Sequence, residues 1–539
     1  MATATTTDTA IRLDRIGEGR IRSYDPMTLE PIGEVPLRDA AWVRDAVARA
    51  RVAQPGWWRL GLAGRRKILD RAREALLSEA RAIAERVAHE CGKTYTGALL
   101  SDVNPSADWI GWAASAAADV LAPERLSLRH YALMGRRSHL VARPIGVVGV
   151  ISPWNFPLFL SMQSTVSALA TGNAVILKPS EITPLSGLEI GRIFHEAGVP
   201  EDVLIVATGD GRTGAAVVEH TDKIFFIGSG RTGHRIHVAA AERDKCCVLE
   251  LGGNAPAVVL ADAHLDNAVR GLVWGAFFNA GQVCASAQRV YVARPLYDRF
   301  VERFVEHTRA LRVGDDREHV DIGSLTWERQ LEVVEGMIGR AREEGAEVLT
   351  GGRRVPGLKG LFYEPTVLVG VERGSEFTRE ELFGPGVMIA PFDTEEQAVQ
   401  LANDTPYGLH ASVWSRDVRR ATRIAERIDA GAVSVNDHLT MAGIPDAPWG
   451  GVKASGIGVI GSRYGLLEFV SRRHVHVNRY PSVPMPWWFP ESERLREGVA
   501  ALGEALAGTG LRRRARAAWR AFGHLRASLG GAADGTDGA

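Results

Sequence analysis

Four cysteines in 539 residues, Cys91, Cys246, Cys247 and Cys284, are too few and too irregularly spaced for a disulfide framework or a CxxC metal site. A reducing, cytoplasmic compartment fits that scarcity. Net charge is missing too: 64 Lys plus Arg balance 64 Asp plus Glu, which disfavours a strongly basic nucleic-acid binder. With 45% hydrophobic and 24% charged residues the composition is ordinary globular rather than disordered. No apolar run reaches the roughly 18 residues of a membrane span. The leading MATATTTDTAIRLDR lacks the apolar stretch of a signal peptide. What is present is length, enough for two or three domains at ~100 to 200 residues each.

Over residues 40–90 apolar side chains recur at helical spacing (Val43, Val47, Val52, then Ile68, Leu69, Ala72, Leu76) between Arg and Glu, predicting amphipathic helices. Beyond Pro144 the texture becomes short aliphatic runs, at 147–151, 174–177, 203–207 and 223–227, each leading through turn residues into a helical stretch. That alternation predicts a largely parallel sheet covered on both faces. A second α/β series begins at 255–260 and continues through 289–293, 364–368 and 388–391 to 433–436. Two segments, 126–142 and 469–480, alternate apolar and basic residues without a flanking helix and read as ribbon strands. Another subunit is one way to cover such edges, and solvation is the other.

Two glycine patterns of the GxGxxG type follow strands and precede helices: Gly209, Gly211, Gly214 and Gly228, Gly230, Gly233. Glycines there permit tight turns and bring backbone N–H groups near a phosphate. In KPSE, Lys178, Ser180 and Glu181 follow a buried strand, the end of a parallel sheet where ligands collect. Cys284, in FFNAGQVCASAQRVYV, is either an inert buried thiol or a nucleophile. Nucleophilic use also needs a water-activating base and an oxyanion donor. Glu250 in ELGG and Asn155 in PWNFP have the right chemistry, although each could equally be a capping or turn residue.

In order, the chain carries PWNFP, KPSE, FIGSGRTG, ELGG, GQVC, EELFGP, NDTPYGL and WGGVKASGIG. On these motifs it resembles the NAD(P)-dependent aldehyde dehydrogenases, from about Arg22 to about Tyr480. The resemblance implies that Cys284 attacks the aldehyde carbon and that the Asn155 amide and the Cys284 backbone N–H hold the oxyanion. Hydride then passes to nicotinamide, and Glu250 activates the water that hydrolyses the thioester. It places Trp154, Lys178, Ser180 and Glu181 around the adenosine half of the cofactor, Ser229 on the pyrophosphate beside the glycine turns at Gly209 and Gly228, and Glu381 and Phe383 on the nicotinamide ribose. Glu181 would accept the ribose hydroxyls and repel a 2′-phosphate, favouring NAD, although relatives with the same glutamate also use NADP. No metal is implied. The family commonly reads FTGS where this chain has Phe226, Ile227, Gly228 and Ser229, which bears on positioning of the nicotinamide ring.

The implied fold is α/β, aldehyde dehydrogenase-like: a Rossmann-type cofactor domain, an α/β catalytic domain and a β-ribbon oligomerisation element. The cofactor domain would occupy 1–125 and 143–252, interrupted by the ribbon at 126–142. The catalytic domain would span 253–452, residues 453–480 would return to the cofactor domain and the oligomerisation strand, and 481–539 would form a tail. The two ribbon segments would pair across the interface of a homodimer or homotetramer.

Phe156, Leu160 and Gln163, with residues 438–442, would line the substrate channel by the same resemblance. Val283 offers no cation to a carboxylate-bearing semialdehyde, so a medium-chain, long-chain or aromatic aldehyde is the expected substrate. The alternatives are a succinate-semialdehyde type, a CoA-acylating enzyme, against which Glu250 argues, and a catalytically silent relative. In the tail, Leu511, Ala515, Ala518, Trp519, Phe522, Leu525 and Leu529 share one helical face, with Arg513, Arg516 and Arg520 opposite. Such a helix suits peripheral contact with a membrane or packing against protein, and PMPWWFP at 484–490 adds an aromatic patch.

Overall fold

The computed structural model describes residues 13–128, 131, 135–315, 319–482, 485, 488–489 and 491–530, without the side chains of 528–530. The expectations for the leading residues, most of 129–134, most of PMPWWFP and Leu529 lie outside the described residues or side chains. Contacts divide the chain into two units, one comprising residues through Ala122 and Ala142–Arg472, the other Pro123–Val141 and the residues from Arg473.

The first unit holds two parallel-rich sheets. One orders its strands Gly456–Ile457, Cys247–Glu250, Lys223–Ile227, Val147–Ile151, Ala174–Lys178 and Leu204–Val206. All neighbours are parallel except the two-residue edge strand. The continuous aliphatic runs are explained by burial on both faces, since every residue of Val147–Ile151 and Ala174–Lys178 is buried. The chain first adds strands on one side of Val147–Ile151 and then returns to its other side. That reversal opens a crevice beyond the carboxyl ends of the strands.

The second sheet orders Glu347–Thr350, Thr366–Val369, Gly386–Phe392, Ala287–Ala293, Ala255–Val259, His410–Trp414 and Ala432–Val435. The amphipathic helices expected at 40–90 are Ala40–Arg59, Gly61–Ser78 and Ala80–Cys91. The amino-terminal hairpin Arg20–Tyr24/Pro31–Pro36 and the strand His410–Trp414 have weaker signals. In HASVW the buried His410 and Ser412 interrupt the aliphatic pattern, and each finds a hydrogen-bond partner through which it is tolerated, Ser434 and His438.

Glu124–Leu126 pairs antiparallel with Arg136–Pro144, and Val470–Asn478 lies on the other side of that strand. The two ribbon segments thus pair within one chain, which corrects the expectation that they meet across a dimer interface. Chain reversal supplies the partner strand, and the mostly exposed Val470–Asn478 remains the outer edge. Cys246, just before the strand that carries Glu250, is exposed, and Cys247 is half-buried with Sγ 3.2 Å from His237 Nδ1.

Candidate active site

A cavity of about 1480 Å³ occupies the crevice of the first sheet. Cys284, Glu250 and Asn155, separated by 34 or more positions in sequence, all line it. Cys284 reaches it from an unusual turn. The helix Leu265–Phe277 ends, and Asn279, Ala280 and Gly281 all take positive φ, at 53°, 53° and 70°. Left-handed backbone at two non-glycine residues costs about 1–2 kcal/mol each. Gln282 holds the turn in place, since its side-chain amide donates to the Asn279 carbonyl (3.0 Å) and its Oε1 accepts from Thr326 N–H (2.9 Å).

The Gln282 carbonyl also accepts one N–H of the Asn155 side chain at 3.1 Å. An amide has two such hydrogens, so one remains to serve an oxyanion. The Asn155 loop is anchored from behind by a buried ion pair. Lys93 Nζ donates to the Asn155 carbonyl and to Asp102 Oδ2, both at 2.7 Å, while Asp102 Oδ1 accepts from the N–H groups of Leu158 and Phe159. Lys93 and Asp102 carry no recognisable sequence motif and were not anticipated. Asp102→Ala would strand a buried ammonium, and a loss of about 3–5 kcal/mol in stability is expected. Urea melts of the two proteins measure it, and an unchanged midpoint would deny the pair its anchoring role.

The glycines of ELGG serve close approach. A Cβ on Gly253 would sit 2.3 Å from the Cys284 carbonyl oxygen, and one on Gly252 would sit 2.3 Å from Glu381 Oε2. Gly253 N–H donates to Glu381 Oε1 at 3.0 Å. The Glu381 loop is fixed by Gln288, which accepts from Leu382 N–H, and by Gln330, which donates to the Phe383 carbonyl. Phe383, at φ 50°, meets Trp154 edge to face with ring centroids 5.2 Å apart.

Burial dominates the electrostatics here. It raises Glu250 well above the usual carboxylate range, and neither of its oxygens has a hydrogen-bond partner among the described residues. Glu381 is pushed up to about 8 by burial despite the bond from Gly253. Burial first, then the carboxyls of Glu381 and Glu250, push the Cys284 thiol up to about 12, against its own N–H and that of Ala285.

Lys178, Ser180, Glu181, Gly228 and Ser229 also line the cavity wall. Lys178 Nζ pairs with Glu181 Oε2 at 2.8 Å. Ser229 precedes the helix Gly230–Ala241 without capping it by its side chain, and nothing stands within 4 Å of a Cβ on Gly230. Open N–H groups at a helix start, an acid–base pair at a strand end and two aromatic rings beyond suit a dinucleotide. Gly209 departs from expectation: it is absent from the lining, which holds Asp210, Gly211 and Arg212 instead. Its Cα is packed against Thr213, whose Oγ1 lies 1.9 Å from where a Cβ would stand, so it is a packing glycine.

Sequence comparison matches residues 14–475 to the aldehyde dehydrogenase family. The 4,4'-diapolycopene aldehyde oxidase of Methylomonas sp is 35% identical over 88% of this chain and 88% of its own. The mitochondrial succinate-semialdehyde dehydrogenase of Arabidopsis thaliana is 37% identical over 86% and 87%. Among solved structures, the NAD-dependent aldehyde dehydrogenase from Sinorhizobium meliloti superposes with a TM-score of 0.83 at 35% identity, covering 87% of this chain and 93% of that one. The chain therefore belongs to the aldehyde dehydrogenase family, NAD- or NADP-dependent oxidoreductases that act on aldehydes.

Proposed function

We propose that this enzyme oxidises a lipophilic aldehyde to its carboxylic acid, with Cys284 as nucleophile, Asn155 as oxyanion donor and Glu250 as hydrolytic base. The observation that carries the reading is the single cavity shared by these three groups and the dinucleotide-type wall. In the proposed sequence deprotonated Cys284 Sγ bonds to the carbonyl carbon, and the free N–H of Asn155 with the Cys284 N–H holds the oxyanion. Glu381 and Phe383 would hold the nicotinamide ribose in the same cavity, and the oxidised ring would supply the acceptor for the hydride lost as the thiohemiacetal becomes a thioester. Glu250 then takes a proton from water, the hydroxide adds to the thioester, and the C–S bond breaks to release carboxylate and thiol. Domain limits of 1–125, 143–252 and 253–452 fit this division of labour.

The surroundings of the sulfur support an apolar substrate. Leu160 lines the cavity with Cys284, and both pack, half-buried, on one large apolar cluster to which Trp112, Phe278, Met441 and Ala442 also belong. The nearby ammonium of Lys93 is buried and committed to Asp102. Gln163 is 1% exposed, and its Oε1 has no partner among the described residues. His438 is spent on Ser412 and the Ala285 carbonyl. A free carboxylate on the substrate would find no cation among these residues.

A series of straight-chain aldehydes assayed with NAD and with NADP tests the substrate. Each methylene buried is worth about 0.8 kcal/mol, so kcat/KM should climb roughly fourfold per carbon until the channel is filled. Succinate semialdehyde should be poor, and free CoA should not be required. A preference for succinate semialdehyde would overturn the lipophilic reading while leaving the chemistry intact.

A further inference from the structure

The tail folds into an antiparallel helical hairpin closed by small residues. Leu495, Gly498, Ala501 and Ala505 of Glu493–Ala507 are buried, as are Ala517 and Ala521 of Leu511–Gly530. A Cβ on Gly498 would stand 2.9 Å from Leu525 Cδ2, so glycine permits the close crossing. Glu504 accepts from Arg513 at 2.7 Å and Arg520 at 2.6 Å, and Arg514 donates to the Ala505 carbonyl. The inward face is thus the alanine side of the last helix. Its aromatic stripe does not pack: Leu511 is 85%, Trp519 80% and Phe522 63% exposed.

At 100° per residue Leu511, Ala515, Trp519 and Phe522 fall within an arc of about 80° on the outward side. Arg526 lies inside the arc and Arg512 about 20° past it, while Arg516, about 60° past it, borders the outward side from the arginine flank. None of the three arginines has an ion pair or hydrogen bond among the described residues. The helix carries six arginines and no acid, and Glu504 answers only two of them. No helix among the described residues is long and apolar enough to cross a membrane.

We propose that this outward face lies flat on an anionic lipid surface, Trp519, Phe522 and Leu511 entering the headgroup boundary and Arg512, Arg516 and Arg526 reaching the phosphates. Interleaved aromatic and arginine side chains on one narrow face suit that boundary, where the rings find apolar depth and the guanidinium groups stay at the headgroups. A second copy of the chain is the poorer occupant, because a twofold contact through this face would press unpaired arginines against their own kind. Trp488 and Phe489, 57% and 91% exposed just before the hairpin, add to the same chemistry. The surface goes beyond the lipophilic-aldehyde reading and does not rest on it.

Flotation of the full-length protein tests it, with vesicles of phosphatidylcholine alone and mixed with phosphatidylglycerol, at low and high salt and without aldehyde. The protein should float with the mixed vesicles at low salt only. Replacing Arg512, Arg516 and Arg526 together by glutamine should weaken binding roughly a hundredfold, at the ~1 kcal/mol each such cation contributes. The pair Trp519→Ala and Phe522→Ala should also abolish flotation. Helicity by circular dichroism and aldehyde oxidation in solution should be unchanged in both. Failure of the wild type to float, or equal flotation of the variants, would overturn the proposal. So would variants whose only change is a smaller assembly in light scattering, since that would assign the face to another subunit, or binding to an acidic polypeptide in place of vesicles. The vesicle result and the aldehyde series can fail separately.

Discussion

Cys284→Ala should bring aldehyde oxidation down by about 10⁴-fold or more, to background, because Cys284 is the only thiol among the described residues that line the cavity. Cofactor binding should survive, since Lys178 is paired with Glu181 and Ser229 with Thr232, contacts that do not involve Cys284. Fluorescence titration with NADH separates the two effects in one preparation. Turnover that remains well above background would move the nucleophile to another residue. Loss of dinucleotide binding together with activity would mean that the substitution had collapsed the Asn279–Gly281 turn instead of removing a reacting atom.

Glu250→Gln should slow deacylation by on the order of 10²- to 10⁴-fold, the range of a positioned general base, while the first turnover proceeds. A pre-steady-state burst of NADH ought therefore to outlast the loss of steady-state rate. The pH profile carries independent information. Burial raises the Glu250 carboxyl well above its ordinary value, so the base form is scarce in acid and grows as pH rises through the raised pKa. Steady-state oxidation limited by deacylation should accordingly increase with pH in the wild type, and the Gln variant should lose the part of that rise that Glu250 contributes. If the burst vanished with the steady-state rate, Glu250 would belong to acylation.

The parallel sheets and their crossover helices were legible because burial on both faces leaves continuous aliphatic runs, as at Val147–Ile151 and Ala174–Lys178. HASVW was harder, since His410 and Ser412 are polar residues whose burial depends on partners distant in sequence. Gly209 illustrates how little a glycine pattern says by itself. In the same GxGxxG, one glycine makes room for Thr213 while Gly211 and Gly214 face the cavity. Cys284, Glu250 and Asn155 could be nominated from their chemistry and from resemblance, and only tertiary structure brings their three loops to one wall. Lys93, Asp102 and Gln282 each also bond a backbone group 44 or more positions away, and no local pattern marks such a contact. The tail helix showed its apolar stripe plainly. That alanines on another side would be the packed surface depended on Gly498 and the neighbouring helix.

The gathering of Glu250, Glu381 and Cys284 on one cavity wall has a bearing on how the enzyme waits. Burial favours the protonated forms of both carboxyls and of the sulfur, and the thiol is the form that peroxide and alkylating agents attack slowly. Shelter from oxidative damage while idle is thus a by-product of the same burial that makes Glu250 a strong base in turnover.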